Sequence, residues 1–481
     1  MPIMARDPSW YFAWRVLSVN TQLQVRLDFD LNAHQNFTCP LITYPSSSPG
    51  TEVIEGSHMK KTYRALSFIA SAAMIATTLV AGSTTASAAT KTLTISSDLP
   101  LQGTSFDAND STNKAIALYL KLIHYKIGKY ALKFKIYDDA TAAKGGWDDA
   151  KCAQNAQNHV AKKSEVAVIG TFNSGCAKII VPILNQAPGG AMVMVSPANT
   201  NVGLTKPWGP RELEMFYPTG VRNFARVCTT DDVEGAASAQ FAKSIGVKSV
   251  YVLNDTQTYG QGVAQSFTTE AKKIGLNVLS SGANGDGWDA KQSSYEALFT
   301  KVKALNPDMV YISGVFDNNG GQLIKDKVKV LGNNSAVKVM APDGFTGYPA
   351  LNTMPEADGM YLSFAGLSTE LLLKAAPNGA GAKFLKAFRS EYKVDPIGSF
   401  PIYGVAALQV ILASIAKSDG TRASVRKGIF SGGGVTIPAT SSVLGKAIAL
   451  NTKTGDILAR DVTIEVIKKN VETTVRAWTV N

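Results

Sequence analysis

Two kinds of apolar pattern alternate along the chain from Lys91 onward. Thr92–Ser96, Leu132–Tyr137, Val166–Gly170 and Ala191–Val195 are short runs rich in β-branched and apolar residues and read as strands. Between them, Thr112–Ile127, Asp149–Lys163 and Ala177–Gln186 set apolar residues three and four apart, the period of a helix with one face on a core. A second series follows through Ser249–Leu253, Gly262–Ile274, Asn277–Ser280, Tyr295–Leu305, Met309–Ser313, Gln322–Leu331 and Val337–Ala341. Each series predicts a mostly parallel sheet covered by helices on both faces, so the expectation is an α/β protein with two lobes. Further on, Met360–Phe364 reads as a strand, and Lys383–Tyr392 and Tyr403–Lys417 read as helices. The alternation of Lys446–Leu450 and Arg460–Ile467 around the turn-rich Asn451-Thr452-Lys453-Thr454-Gly455-Asp456 predicts a β-hairpin.

Composition agrees with a globular protein of two domains: 481 residues, 45% apolar and 18% charged. The net charge of +11 is scattered rather than gathered in a block, which argues against nucleic acid as a partner. Lys325, Lys327 and Lys329 read as a solvated helix face.

Near the front, Met59-Lys60-Lys61 and Arg64 precede the apolar run Leu66–Ala81 and the small-residue site Ala86-Ser87-Ala88, the layout of a secretory signal over 59–88. That run is shorter than the ~20 residues a membrane span needs. Residues 1–58 would then be an extension ahead of the true start at Met59, and they are left out of the fold reasoning. The expectation is export to the periplasm or cell exterior, in association with the cell envelope. Ser83 stands where a lipoprotein needs cysteine, so no lipid anchor is expected there.

Cysteines fall at 39, 152, 176 and 228. Export permits a disulfide, and Cys152 and Cys176 lie in neighbouring βα units that can bring them together, leaving Cys228 as a buried free thiol. His124 and His159 are the only histidines of the mature region, and no metal-ligand spacing, nucleophile elbow or phosphate-binding glycine loop occurs. No catalytic residue, cofactor or metal is therefore expected, and an enzyme is the weakest of the competing readings.

In open parallel sheets ligands bind beyond the carboxyl ends of the strands. There the sequence offers Gly170-Thr171-Phe172-Asn173-Ser174-Gly175-Cys176, running into a helix whose free N–H groups suit a carboxylate. Ser174 serves equally well as a helix cap. Ser196-Pro197-Ala198-Asn199-Thr200 offers amides, the Ala198 carbonyl and the Thr200 hydroxyl. The second series offers Tyr259, Val315-Phe316-Asp317 and Asp343, the last a candidate counter-ion for an ammonium group or simply a turn residue before glycine. Trp147 and Trp288 each precede aspartate in a glycine-rich loop and suit either ligand stacking or surface packing.

Taken in order, Asn173-Ser174-Gly175-Cys176, Met194-Val195-Ser196-Pro197-Ala198-Asn199-Thr200, Tyr259-Gly260-Gln261-Gly262, Gly320-Gly321-Gln322 and Pro342-Asp343-Gly344 resemble the branched-chain amino-acid-binding proteins of ABC importers, over Lys91 to Asn481. The resemblance implies the type I periplasmic-binding-protein fold, two Rossmann-like lobes with parallel sheets joined by a hinge. The first lobe would comprise 91–230 and 361–450, the second 231–360 and 451–481. It implies that Ser174, Ala198 and Thr200 hold the ligand carboxylate and part of its ammonium, with Tyr259, Phe316 and Asp343 closing from the other lobe. Phe106, Asn173 and Ser196 are further pocket candidates. The family places glutamate where this chain has Asp343, and its paired tyrosines are replaced by Val315-Phe316. The partners implied are an amino-acid-like solute and a membrane permease, the protein itself being a monomer. A sensory protein of the same fold, reporting to a receptor, would need the same clamp.

Overall fold

A computed structural model describes residues 90–480, so the signal expected at 59–88 and the extension expected ahead of it lie outside the described residues. Two sheets organise the chain. The first has six strands in the order Lys126–Ile127, Tyr130–Asp138, Thr92–Leu99, Glu165–Gly170, Val193–Ser196, Phe224–Arg226, all parallel except the short edge strand Lys126–Ile127. On the second, Asn277–Val278, Ser249–Asn254, Met309–Ser313, Lys338–Ala341 and Tyr361–Phe364 run parallel, and Asp461–Lys468 and Val471–Thr479 complete it antiparallel. A short strand, Asp286–Gly287, also pairs with Ser249–Asn254.

Helices cover both faces of each sheet, as the 3.6-residue periodicity predicts. On the first sheet, Phe106–Leu122 and Phe400–Ala416 pack on one face, and Asp149–Ala161 and Ser174–Asn185 on the other. On the second, Asp231–Ser244 and Thr258–Lys273 oppose Glu296–Ala304 and Gly320–Leu331. Phe400–Ala416 is apolar nearly all round and is buried along most of its length.

Most predicted strands and helices appear at the expected places with ends shifted by a few residues, but the helix expected over Thr112–Ile127 runs from Phe106 to Leu122, and Lys126–Ile127 is instead an edge strand. One predicted pairing is corrected. The hexapeptide Asn451–Asp456 does close into a turn, with Asn451 N–H donating to the Asp456 carbonyl at 2.8 Å and a single bridge between Leu450 and Ile457. Its two arms then part: Ile448–Ala449 pairs with Thr436–Ile437, and Asp461–Lys468 leaves for the second sheet to form its hairpin with Val471–Thr479. The alternating pattern was right for strands, but the pairing partner lies outside the local sequence. Tyr361–Phe364, expected to open the second segment of the first lobe, is likewise a strand of the second sheet.

Lys327 is also corrected. It is fully buried, not solvated, and its ammonium donates to Gly332 O, Asn333 O, Asn334 Oδ1 and Val337 O just past the helix end. There it satisfies carbonyls of the loop that follows the helix, which would otherwise be left without partners. Burial pushes it down to about 7.

Two buried charge clusters brace the first sheet. His159 sits between Asp98, 2.9 Å from its Nε2, and Glu165 at Nδ1. Burial alone would lower its affinity for a proton, but the hydrogen bonds to both carboxylates outweigh it and raise it, so the imidazolium donates from both nitrogens. Arg226 is fully buried at the end of its strand. Its guanidinium donates to Asp456 Oδ1 at 2.7 Å, to the carbonyls of Asn199 and Asn201 at 2.9 and 2.8 Å, and to Thr205 Oγ1. It thereby fastens the 196–205 loop to the turn from which the chain departs for the second sheet. Arg226→Ala leaves Asp456 buried without its cation and is expected to cost about 3–5 kcal/mol, measured as the loss of unfolding free energy in a urea titration.

Candidate functional site

The chain passes between the sheets after Arg226, after Phe364 and after Leu450, and the loops at the carboxyl ends of both sheets meet across a cleft. Its inner end is a small cavity lined by Phe172, Asn173, Ala198, Phe400, Tyr259, Val315, Asp343 and Gly344. An outer cavity of about 340 Å3 shares Asn173 and Val315 with it and is lined further by Ser105, Lys144, Trp147, Gln257, Asp317 and Asn318. Residues of both series thus face one space.

From the first sheet, the strand Glu165–Gly170 delivers Asn173 and Ser174 at the start of the helix Ser174–Asn185. Neither side chain caps that helix, and the buried Asn173 Oδ1 and Ser174 Oγ make no hydrogen bond within the protein. Gly175 is required by contact: a Cβ there would stand 2.5 Å from Cη2 of Trp147, whose ring lies over the helix start. Ala198 lines the inner cavity. Ser196 does not; it is fully buried and holds the loop in shape, accepting from the Ala198 and Asn199 amides at 3.1 and 2.7 Å and donating to the Thr171 carbonyl at 3.0 Å. Those two amides, expected to be open, are therefore already used. Thr200 is buried against Asp231. Its carbonyl accepts the Asp231 amide at 2.9 Å, and its hydroxyl makes no hydrogen bond within the protein.

The second sheet presents acid. Tyr259, in the first turn of Thr258–Lys273, directs its hydroxyl to Asp343 Oδ1 and accepts the Gly344 amide at 3.0 Å. Asp343 N–H donates to Glu234 Oε1 at 2.9 Å, and that carboxylate also receives the Ser363 hydroxyl at 2.8 Å. Asp231, Glu234 and Asp343 are all buried, and one oxygen of each makes no hydrogen bond within the protein. Burial pushes Asp343 up to about 7 and Asp231 up to about 8; for Glu234, burial and then repulsion from Asp343 raise it well above the ordinary carboxyl range. Tyr259 is raised well above its usual value by burial and by Asp343. Glycines let these groups approach. At Gly344 a Cβ would lie 2.7 Å from the Tyr259 ring, and at Gly262 it would lie 2.6 Å from Asn201 of the facing loop.

Phe316 is not at the cavity. Past Gly314 the backbone sends Val315 into the cleft and Phe316 the other way, into the apolar core beside Phe345 and Tyr348. Phe106 is 43% exposed at the first residue of its helix and lines neither cavity; its neighbour Ser105 does. Trp288 is buried, donating to the Asn318 carbonyl at 2.8 Å, and anchors a loop. Trp147 faces the outer cavity and donates to Gln257 Oε1 across the cleft at 3.0 Å. A second bridge joins the same sides: Asp317 Oδ1 accepts the Thr104 hydroxyl at 2.6 Å and the Ser105 amide at 2.9 Å.

Sequence reading did not find Phe172, Phe400 or the acids of Asp231–Ser244. The last had a cue, since Asp231, Glu234 and Ser238 make a polar stripe at helical spacing on an otherwise alanine-rich helix. The Cys152 and Cys176 sulfurs meet behind the Ser174 helix, their Cα atoms 5.7 Å apart, and Cys228 is free and buried.

Among proteins of known description, a family profile described as periplasmic binding protein matches residues 92–455. The Leu/Ile/Val-binding protein BraC3 of Rhizobium johnstonii is 25% identical over 71% of this chain and 83% of its own length. The Leu/Ile/Val/Thr-binding protein of Salmonella typhimurium is 26% identical over 59% of this chain and 68% of its own. Among solved structures, the leucine-binding protein LivK of Thermotoga maritima superposes with a TM-score of 0.64 at 20% identity, covering 80% of this chain and 99% of that one. A solute-binding protein from R. palustris in complex with benzoate gives a TM-score of 0.63 at 18% identity, covering 80% of this chain and 96% of that one. With two helix-covered sheets, a cleft lined from both, and a profile match over most of its length, the chain belongs to the periplasmic binding protein family.

Proposed function

We propose that the protein captures a free amino acid between its two lobes, outside the cytoplasm, and delivers it as the solute-binding component of an ABC importer to a permease in the membrane. One observation carries this reading: Asp343 is buried beside Glu234 and Asp231, and no cation reaches its second oxygen. A ligand ammonium group supplies the missing charge. An aromatic acid without an amine, of the kind bound by the R. palustris protein, would bring a carboxylate and no cation to this cluster. At the other end, Asn173 Oδ1, Ser174 Oγ and the first amides of the Ser174–Asn185 helix suit the ligand's polar head, the hydroxyl and amides favouring a carboxylate. Ala198 and Thr200 complete the first-lobe side, and Tyr259 closes from the second. Phe172, Val315 and Phe400 give the side chain an apolar wall, which fits an aliphatic ligand of the kind named for the relatives.

In this reading the protein is exported through the signal at 59–88, carries no lipid at Ser83, acts as a monomer and holds Cys152 and Cys176 as a disulfide. The first lobe comprises 91–230 and most of 361–450, and the second 231–360 and 451–481. The Trp147–Gln257 and Thr104–Asp317 contacts join the lobes directly, so they belong to the closed state that a ligand stabilises.

Asp343→Asn keeps the shape and removes the charge. Amino-acid affinity is expected to fall by about 100-fold or more, measured by isothermal titration at pH 8. The ligand-free variant is expected to melt higher than the wild type at that pH, because one member of a repelling cluster is gone; unchanged affinity sinks the ammonium role.

Acidity gives an independent check. With Asp343 at about 7, the ionised form that pairs with an ammonium dominates above pH 7 and is protonated below it. The Kd for the best ligand is therefore expected to rise about tenfold between pH 8 and pH 6, and Asp343→Asn should flatten that part of the profile. Without ligand the sign reverses: a carboxyl raised by burial favours the protonated fold, so its contribution to stability declines as pH climbs from about 4 to 7.

Asp317→Ala removes the Thr104 and Ser105 contacts from the closed state while touching no ligand group proposed above. An affinity loss of about 3–10-fold is expected, with a larger radius of gyration in the presence of subsaturating ligand by small-angle scattering. An equal radius and affinity would show that these contacts do not help hold the lobes together.

A further inference from the structure

A second cavity, of about 250 Å3, opens where the antiparallel edge of the second sheet meets the loop before Phe400–Ala416, and it shares no lining residue with either part of the cleft. Three glutamates from three elements line it: Glu370 in the helix Thr369–Ala375, Glu465 in Asp461–Lys468 and Glu472 in Val471–Thr479. None of the residues lining it is basic. Glu472 accepts the Gly347 amide at 2.9 Å, and the exposed Glu370 accepts the Thr474 amide at 3.3 Å.

Glu465 is different. It is only 6% exposed, it lines the cavity, and among the described residues its carboxyl has no hydrogen-bond donor and no cation. An unpaired carboxylate in such a place is costly, and nothing in the surrounding protein offsets it. Burial, then repulsion from Glu472 and Glu370, holds its carboxyl well above the ordinary range. Beside the glutamates the wall carries an apolar part, Pro349, Ile397 and Val471, and the neutral polar residues Asn352, Ser368, Thr369 and Ser399.

We propose that this cavity is a second binding site, for a small organic cation whose ammonium group pairs with Glu465 while its alkyl stem lies along Pro349, Ile397 and Val471. A bare metal ion suits it less well, because the oxygens of the three glutamates do not converge closely enough to share one ion. An elongated amine reaches carboxylates that stand apart, and its methylenes match the apolar wall. The site is independent of the amino-acid cleft in every residue used here.

Isothermal titration of the purified protein with putrescine and spermidine tests this, with calcium chloride, magnesium chloride and a blocked lysine derivative as separate arms. The expected result is one diamine per protein, weakened at least about tenfold in Glu465→Gln, less in Glu370→Gln, with no saturable uptake of either metal. Glu465→Gln removes an unpaired buried charge, so it should melt no lower than the wild type and bind its amino acid as before; should it fail to fold, loss of diamine affinity in Glu370→Gln carries the test. Absence of diamine binding at millimolar concentration, binding indifferent to both substitutions, or preference for a metal ion overturns the proposal. Binding of the lysine derivative without the free amines also overturns it, and would point to a protein partner's side chain.

Discussion

Carboxyl groups without counter-charges govern this protein. Asp231, Glu234 and Asp343 are packed together at the carboxyl end of the second sheet's strands, and Arg226, the cation that acts on Asp231, is already committed to Asp456. A fold selected for stability alone would place apolar or paired groups there, since an isolated buried charge is among the most expensive things a protein can hold. Protonation relieves part of the cost, and a bound cation relieves it more fully. The raised proton affinities of Asp343 and its neighbours and the proposed affinity for an amine are therefore two consequences of one arrangement.

The surrounding structure serves to keep that arrangement fixed. Asp255 accepts from the Gln257 and Val315 amides and from Asn318, so the loops carrying Tyr259 and Val315 are tied to one buried side chain. Ser196 does the same for the facing loop, and Arg226 ties that loop to the turn after Leu450. Where the parts must come close, the sequence has glycine: Gly344 under the Tyr259 ring, Gly262 against Asn201 and Gly175 against Trp147. Each support is a hydrogen bond or a missing methyl group, and none depends on the identity of the ligand side chain.

Much of this is legible in the amino-acid sequence. The two βα series were plain because both sheets are buried on both faces, and such strands write themselves as continuous apolar runs between amphipathic helices. Ala198, Tyr259 and Asp343, which line the inner cavity, stand out because they follow strands, where parallel sheets put their sites. What stayed hidden depends on direction rather than position. Nothing in Gly314-Val315-Phe316 says which side chain turns inward. Ser196 looked like a ligand group because a serine that braces its own loop has the same local sequence as one that faces a cleft. Lys327 looked like any surface lysine, since only the return of the chain at Gly332 to Val337 surrounds it with carbonyls. The hairpin failed for the same reason: Asp461–Lys468 finds its neighbours at Tyr361–Phe364 and Val471–Thr479, which the turn before it does not foretell.

The two cavities share no lining residue, but two segments of the chain run from one to the other. The loop that begins at Asp343 in the cleft reaches Gly347, Pro349 and Asn352 in the acidic cavity, and Gly347 is held there by Glu472. The helix Phe400–Ala416 offers Phe400 to the cleft, while Ser399, the residue before it, faces the other side. Gly347 and Gly398 sit so close that a Cβ on Gly398 would lie 2.9 Å from the Gly347 Cα, so the two loops are in direct backbone contact. An occupant that drew Glu472 toward itself would pull on Gly347, which lies in the segment that carries Asp343. If it changes the affinity of the cleft, linkage requires the amino acid to change its own affinity by the same factor. The antiparallel strands added to the edge of the second sheet are thus more than a cover for that edge: they bring Glu465 and Glu472 to the segment that begins at Asp343.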